Sequence, residues 1–334
     1  MRVFFPLDEQ WQLNQTVYSH EMASRMVWLG ALLSYQLSQA VMERIGERVL
    51  PSSSIWRQVQ VHGERLDKYV EVQREQVSVE RVILPDLRHD HHDPKLVSID
   101  GGFVNIRDDG WRELKVGAVS DIEIRLERNP QNHNLDEFAH GVNVNYTAVL
   151  GSKEEFTPAL WALAVEHSVP IARKRASVGD GALWIWDVAE DVCPDGRQIV
   201  DWFHAVEHLS KAAHVLYPHQ KKDEKKRKRW LNTYKEHLYM GRIHKIITTL
   251  TKRGCSEFVT YFKRHQRRMQ YQQFREEGLP IGSGTIESGV KQFKQRLCAT
   301  GMRWNESNAN QMVTIRSAVL SNQFDELWHN APLH

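Results

Sequence analysis

The sequence predicts a mixed α/β chain: a sheet flanked by helices, a helical module ahead of it, and an all-helical basic insertion within it. Three observations carry that reading. Helical periodicity with capping serines fills residues 20–76, the pattern turns to extended alternation at Leu96, and extended runs end in acids at Asp100 and Asp180. At 334 residues there is room for two or three modules, since a domain takes roughly 100 to 200 residues.

Net charge is only +2, yet the charge is divided along the chain. Residues 211–303 hold 22 Lys/Arg against 7 Asp/Glu, and the remainder holds 22 against 35. The C-terminal half is therefore expected to meet a polyanion. No apolar run approaches the roughly 18 residues that a membrane span needs, and no basic stretch leads into an apolar one at the N-terminus. Cys193, Cys255 and Cys298 are widely separated, which argues for a reducing, cytoplasmic location and against a disulfide framework or a cysteine zinc site.

Residues 1–80 read as a helical, helix-turn-helix-like DNA-binding module. Met26, Leu29, Leu32, Leu33, Tyr35 and Leu37 make one apolar stripe, and Val41, Met42 and Ile45 continue it. After Gly46 to Pro51, three serines can cap a further helix that carries Arg57, Gln58, Gln60, His62 and Arg65. A short helix, a turn and a capped helix with polar and basic residues at its start is the layout of a DNA reader, and also of three small helices around a core. Arg57 and Arg65 are its expected DNA contacts. Residues 81–95 are a charged linker, whose His/Asp run from Arg88 to Pro94 lacks the fixed geometry of a metal site.

The expected core begins at residues 96–209. Leu96 to Asp100 reads as a buried strand ending in an acid, Gly101-Gly102 as a turn, and Phe103 to Arg107 as the hairpin partner. Trp111 to Val119 and Val142 to Leu150 read as further strands, and Glu154 to His167 as an amphipathic helix. A second strand approach delivers Asp180 between two glycines. Gln198 to Leu209 passes from strand to helix and groups Asp201, His204 and Glu207 at three-residue spacing. Helix capping with an i, i+3 pair explains that group as well as catalysis does.

Residues 210–278 read as the basic helical insertion, in which aromatics are interleaved with cations. Such faces are ordinarily solvated; the interleaving suits tracking of a nucleic-acid backbone, with Lys225, Arg229 and Arg267 as expected contacts. Residues 279–334 return to the core. Gly282-Ser283-Gly284 turns the chain into a helix with Glu287 at its start and Lys291, Lys294 and Arg296 spaced to share a face, the three cations being expected DNA contacts. Alone, Glu287 is an acid complementing the helix dipole. With Asp100 and Asp180 it makes three carboxylates able to hold two divalent cations roughly 3.5 to 4 Å apart.

Five segments together resemble the DDE transposases of bacterial insertion sequences, closest to the Kra-type group. They are Ser98-Ile99-Asp100-Gly101, Gly179-Asp180-Gly181-Ala182-Leu183-Trp184-Ile185, Asp201-Trp202-Phe203-His204, Pro280-Ile281-Gly282-Ser283-Gly284-Thr285-Ile286-Glu287, and Thr300-Gly301-Met302-Arg303-Trp304. The resemblance runs from the helix-turn-helix region to Trp328, and the order and spacing of the segments carry it. It implies a ribonuclease H-like core in which Asp100, Asp180 and Glu287 bind Mg²⁺ or Mn²⁺, interrupted by the helical insertion. It implies metal-dependent cleavage and transfer of DNA strands at the ends of an insertion sequence. The partner is then double-stranded DNA, with at least a dimer on it to bring two ends together.

Asp201 and His204 correspond to a Cys/Asp-x-x-His motif of related groups and are expected to position the target phosphate or flanking strand. Arg303 is expected on the backbone and Trp304 on a displaced base. One departure is that Met1 begins almost at the helix-turn-helix, where many relatives carry a further segment, some with Cys-rich zinc-binding character. Weaker end recognition, or a shortened copy, is the expectation. Two other readings stay open: a catalytically inactive DNA-binding remnant, against which the three intact acids count, and a metal-dependent nuclease that hydrolyses without joining.

Overall fold

The computed structural model describes residues 18–47, 49–77, 93–128, 134–219 and 221–332. Three helices open it: α1 His20–Leu32, α2 Tyr35–Gly46 and α3 Ser52–Gln76. Ser19 and Ser34 cap the first two by accepting from Met22 N and Leu37 N, while α3 follows Pro51 with no side-chain cap. Ala23, Val27, Val59 and Leu66 share one apolar cluster with Met312, Ile315, Phe324 and Trp328 near the C-terminus, so these helices lean on the rest of the chain. Residues 81–92 of the expected linker, including most of its His/Asp run, lie outside the described residues.

The sheet contains β1 Lys95–Ile106, β2 Gly110–Arg128, β3 Leu135–Leu150, β4 Arg175–Gly179 and β5 Arg197–Val200, in the order β3-β2-β1-β4-β5. The first three form an antiparallel meander; β4 runs parallel to β1, and β5 parallel to β4. One expectation is corrected here. Gly101-Gly102 is no turn, because β1 runs straight through it and reverses at residues 107–109. The glycine serves packing: a Cβ on Gly102 would come within 2.6 Å of Lys294 Cε. Asp100 consequently lies inside a strand, at the point where pairing with β4 stops after Ser98↔Val178.

Helices α4 Lys153–Glu166, α5 Leu183–Val192 and α6 Trp202–Leu216 connect and flank the strands. A capping box between Ser152 and Glu155 starts α4. The expected insertion is helical: α7 Glu224–Tyr239, α8 Ile243–Lys252, α9 Ser256–His265 and α10 Tyr271–Glu276. Its Leu238, Ile246, Leu250 and Phe262 are buried in the same cluster as Ile99, Val178 and Ile199 of the sheet. The chain closes with α11 Gly284–Leu297, α12 Glu306–Leu320 and α13 Phe324–Asn330. Gly289 lets α11 settle on β3, since a Cβ there would overlap the Tyr146 ring. No described helix is long and apolar enough to cross a membrane.

Candidate active site

β1 and β4 deliver the first two acids. Ser98 pairs with Val178, so Asp100 two residues further along β1 and Asp180 just past the end of β4 leave the same edge of the sheet, close enough for their charges to interact. Each carboxylate is oriented by a backbone donor: Gly101 N donates to Asp100 Oδ1 at 2.7 Å, and Ala182 N to Asp180 Oδ1 at 2.8 Å. Burial raises the Asp100 carboxyl above the ordinary carboxylate range, and the neighbouring Asp180 charge adds to that; the Gly101 hydrogen bond, His204 and Lys294 oppose it.

The third part of the site is assembled around Asp201, which is wholly buried at the end of β5. Its own N–H donates to Gly179 O at 2.8 Å, tying it to β4. One carboxylate oxygen accepts from His204 N at 2.8 Å and caps α6, and the other accepts from Ser283 N at 2.6 Å. Trp202 N donates to Ile281 O at 2.8 Å, so the turn before α11 is fastened to the start of α6 at two points. Ser283 Oγ then donates to Glu287 Oε1 at 3.3 Å. Through these bonds a glycine-rich turn gains a defined shape, and Glu287 in the first turn of α11 is brought to His204.

Ligand atoms of Asp201, His204 and Glu287 all lie within 4.8 Å of one another. Among the described residues this is the tight ligand group, whereas the sequence pointed to Asp100, Asp180 and Glu287. The two sets adjoin, for Asp100 is within electrostatic reach of both Asp180 and His204. Cations border them: Lys294 lies against Gly102, and Lys291 Nζ is 3.7 Å from Glu287 Oε2.

Two residues here were missed by sequence reasoning. Tyr261 of α9 approaches Gly181, where a Cβ would lie 3.3 Å from its hydroxyl oxygen. That hydroxyl is buried without a hydrogen-bond partner, and burial, with Asp180, Asp201 and Glu207 nearby, keeps it protonated well beyond the ordinary tyrosine range. His208 stacks on the Tyr261 ring at 3.6 Å. Nothing local marks Tyr261 among the aromatics of the insertion. Ser283 had a signal, a hydroxyl between two glycines just before a helix.

Of the residues expected on DNA, Arg57, Lys225, Arg229, Arg267, Lys291, Lys294 and Arg303 are exposed. Three others are buried and bonded within the chain. Arg65 donates to Ala331 O at 2.7 Å and lies 4.6 Å from the centre of the Trp328 ring. Arg296 Nε donates to Gly30 O at 2.6 Å, and Trp304 Nε1 to Leu297 O at 2.9 Å. The cause is helical phase: Arg65 sits beside the buried Ile55, Val59, His62 and Leu66 of α3, and Arg296 turns inward while Lys291 and Lys294 stay outside. The expected shared face of Lys291, Lys294 and Arg296 is thus corrected, as is the base platform at Trp304.

No protein-family model and no curated protein matches this chain, so its chemistry is read from these residues.

Proposed function

We propose that the chain is a DDE-type DNA transposase of a bacterial insertion sequence, cleaving and joining DNA strands by metal-dependent phosphoryl transfer. The observation that carries this reading is the proximity of Asp100 on β1 and Asp180 just past β4, two neighbouring parallel strands, with α11 bringing Glu287 to His204, which interacts with Asp100. The strand order β3-β2-β1-β4-β5, a meander continued by two parallel strands, supports a ribonuclease H-like core.

The donor set fits a hard divalent cation. It offers carboxylate oxygens and one imidazole but no thiolate, and the raised Asp100 carboxyl marks a place where added positive charge relieves repulsion. Asp100, Asp180 and Glu287 would hold Mg²⁺ or Mn²⁺, with Asp201 and His204 in ligand reach beside Glu287. When bound, such ions activate a water or 3′-hydroxyl and neutralise charge developing on the phosphate. The chain's own residues bind and orient. Lys294 and Lys291 offer exposed cationic heads for backbone phosphates. His204, half-buried at the start of α6, is suited to hydrogen-bond a phosphate oxygen. Asp201 acts through Ser283 to set the position of Glu287.

The test is a joining assay on the DNA that flanks the coding sequence, with and without Mg²⁺ or Mn²⁺. Wild-type protein is expected to yield cleaved and joined products, and Asp100→Ala neither. Cleaved ends without joined product would make the chain a nuclease, and binding without either product a remnant. Joining by Asp100→Ala at the wild-type level would overturn the site.

A further inference from the structure

A second concave site lies toward the other end of α11 from Glu287. It is a cavity of about 520 Å³ where the starts of α2 and α3 meet residues 302–305. Three arginines line it, Arg107, Arg296 and Arg303, and among the described residues no Asp or Glu does. Arg107 and Arg303 are exposed, and among the described residues neither has a carboxylate partner. Asp108 and Asp109 follow Arg107 and Glu306 follows Asn305, yet Asp109 and Glu306 pair with Arg112, so the rim arginines keep their charge for a ligand.

Arg296 is the unusual member. Only 3 % of it is exposed, and its guanidinium lies between the Tyr35 and Trp304 rings, 4.9 and 5.0 Å from their centres. Its Nε is satisfied by Gly30 O, while its buried Nη2 makes no well-formed hydrogen bond and has only the Tyr35 hydroxyl within weak hydrogen-bonding reach of the guanidinium. A buried charged donor left open is costly, and an anion in the cavity removes that cost. Two helix starts add to the attraction. Neither α2 nor α3 has an acid in its first turn, and although Ser34 caps α2, α3 has no side-chain cap, so no first-turn carboxylate offsets either positive dipole end at this cavity. Ser52 and Ser53 contribute neutral donors from α3, and Trp56, 43 % exposed, supplies a flat wall.

We propose that this cavity takes a backbone phosphate of duplex DNA, with Arg296 as the buried anchor and Arg107 and Arg303 at the rim. The proposal rests on the DNA reading above and adds to it a positioning point for the duplex. Glu287 and Arg296 are nine residues apart on one rigid helix, about 14 Å at the α-helical rise. A phosphate held at one end therefore sets where the strand lies at the other. A backbone contact of this kind fixes register and carries no base specificity.

The experiment measures binding of the full-length protein to a labelled mixed-sequence duplex across a salt series, with EDTA present so that no strand is cut. Arg107→Ala and Arg303→Ala are each expected to lower the slope of log K against log salt by about 0.9 and to weaken binding alike for every sequence. Their melting temperatures are expected to match the wild type, since both side chains are exposed. Arg296→Lys keeps the charge but loses the planar fork, and is expected to weaken binding further. Unchanged slopes in folded Arg107→Ala and Arg303→Ala would overturn the proposal and leave the transposase reading standing. A wild-type protein that fails to bind the duplex would overturn both. Displacement of the duplex by inorganic phosphate at constant ionic strength would assign the cavity to free phosphate and overturn the proposal as well.

Discussion

The two ends of α11 are built on opposite electrostatic principles. At its start, Glu287 joins Asp201 and His204, and His204 is in turn within electrostatic reach of Asp100, whose carboxyl burial and Asp180 force above its ordinary range. Toward its end, Arg296 joins Arg107 and Arg303 around a cavity that, among the described residues, no acid lines. The first arrangement would suit divalent cations, which need concentrated negative charge, and the second would suit phosphates, which need it excluded. One straight helix keeps the two apart at a fixed distance, which loops on either side would not do.

The largest effect is expected at the acid end alone. Asp100→Ala should reduce cleavage and joining to background while a gel shift shows duplex binding retained. Gly289→Ala should instead damage both ends together, because its Cβ would push the whole helix off Tyr146 of β3. The expected cost is about 1–3 kcal/mol, read as a lower melting temperature with loss of both cleavage and binding. A Gly289→Ala protein that loses only one of the two functions would show that the ends are not coupled through α11.

Asp201→Asn sharpens the comparison, for the new amide nitrogen must face one of the two N–H donors, from His204 and Ser283. Stability should fall by about 1–3 kcal/mol. Cleavage should fall roughly 10–100-fold, as when a partner that orients a ligand is lost, with duplex binding unchanged. Full cleavage by a folded Asp201→Asn protein would disconnect Ser283 from the placement of Glu287.

Two buried histidines, one in the N-terminal helices and one beside the acid end, carry a pH dependence of stability. His62, against Trp328 and near Arg65, and His265, near Gly181 and Arg268, are both held down to about 4, first by burial and then by those cations. The unfolded chain binds these protons near pH 6.5, so between pH 6.5 and 4 the unfolded state carries more of them. Stability therefore rises with pH across that window and is lost on acidification, by up to about 3 kcal/mol per histidine. Melting temperatures from pH 7 to 5 should show the fall, and His62→Gln and His265→Gln should each flatten it. The smallest effect is expected from Lys291→Ala, which removes an exposed ion pair and should change stability by under about 1 kcal/mol.

The elements were legible where the signal was local. Apolar periods marked α1 to α3, although the three serines expected to cap α3 lie inside it and give no side-chain cap; a strand-to-helix switch marked Asp201, and Gly282-Ser283-Gly284 marked the start of α11. The glycine pair in β1 misled, because a glycine required by a side chain packed from another element looks the same in sequence as one required by a turn. The cations misled in a similar way. Arg65 and Arg296 carry the same charge as Arg57 and Arg303, and only the packing of α3 on the C-terminal residues and of α11 on α1 turned the first pair inward.

By itself the sequence determined which residues become helices and strands, where the acids fall on them, and that the positive charge collects in the C-terminal half. Those properties follow from short-range periodicity, caps and composition. The tertiary structure alone decided that Asp100 and Asp180 come within electrostatic reach of each other, that Asp201 bonds to a turn 82 residues later, and that an arginine expected on DNA is buried. Strand register, helix phase and burial are set by segments remote in the chain, and no local pattern records which remote segment will arrive.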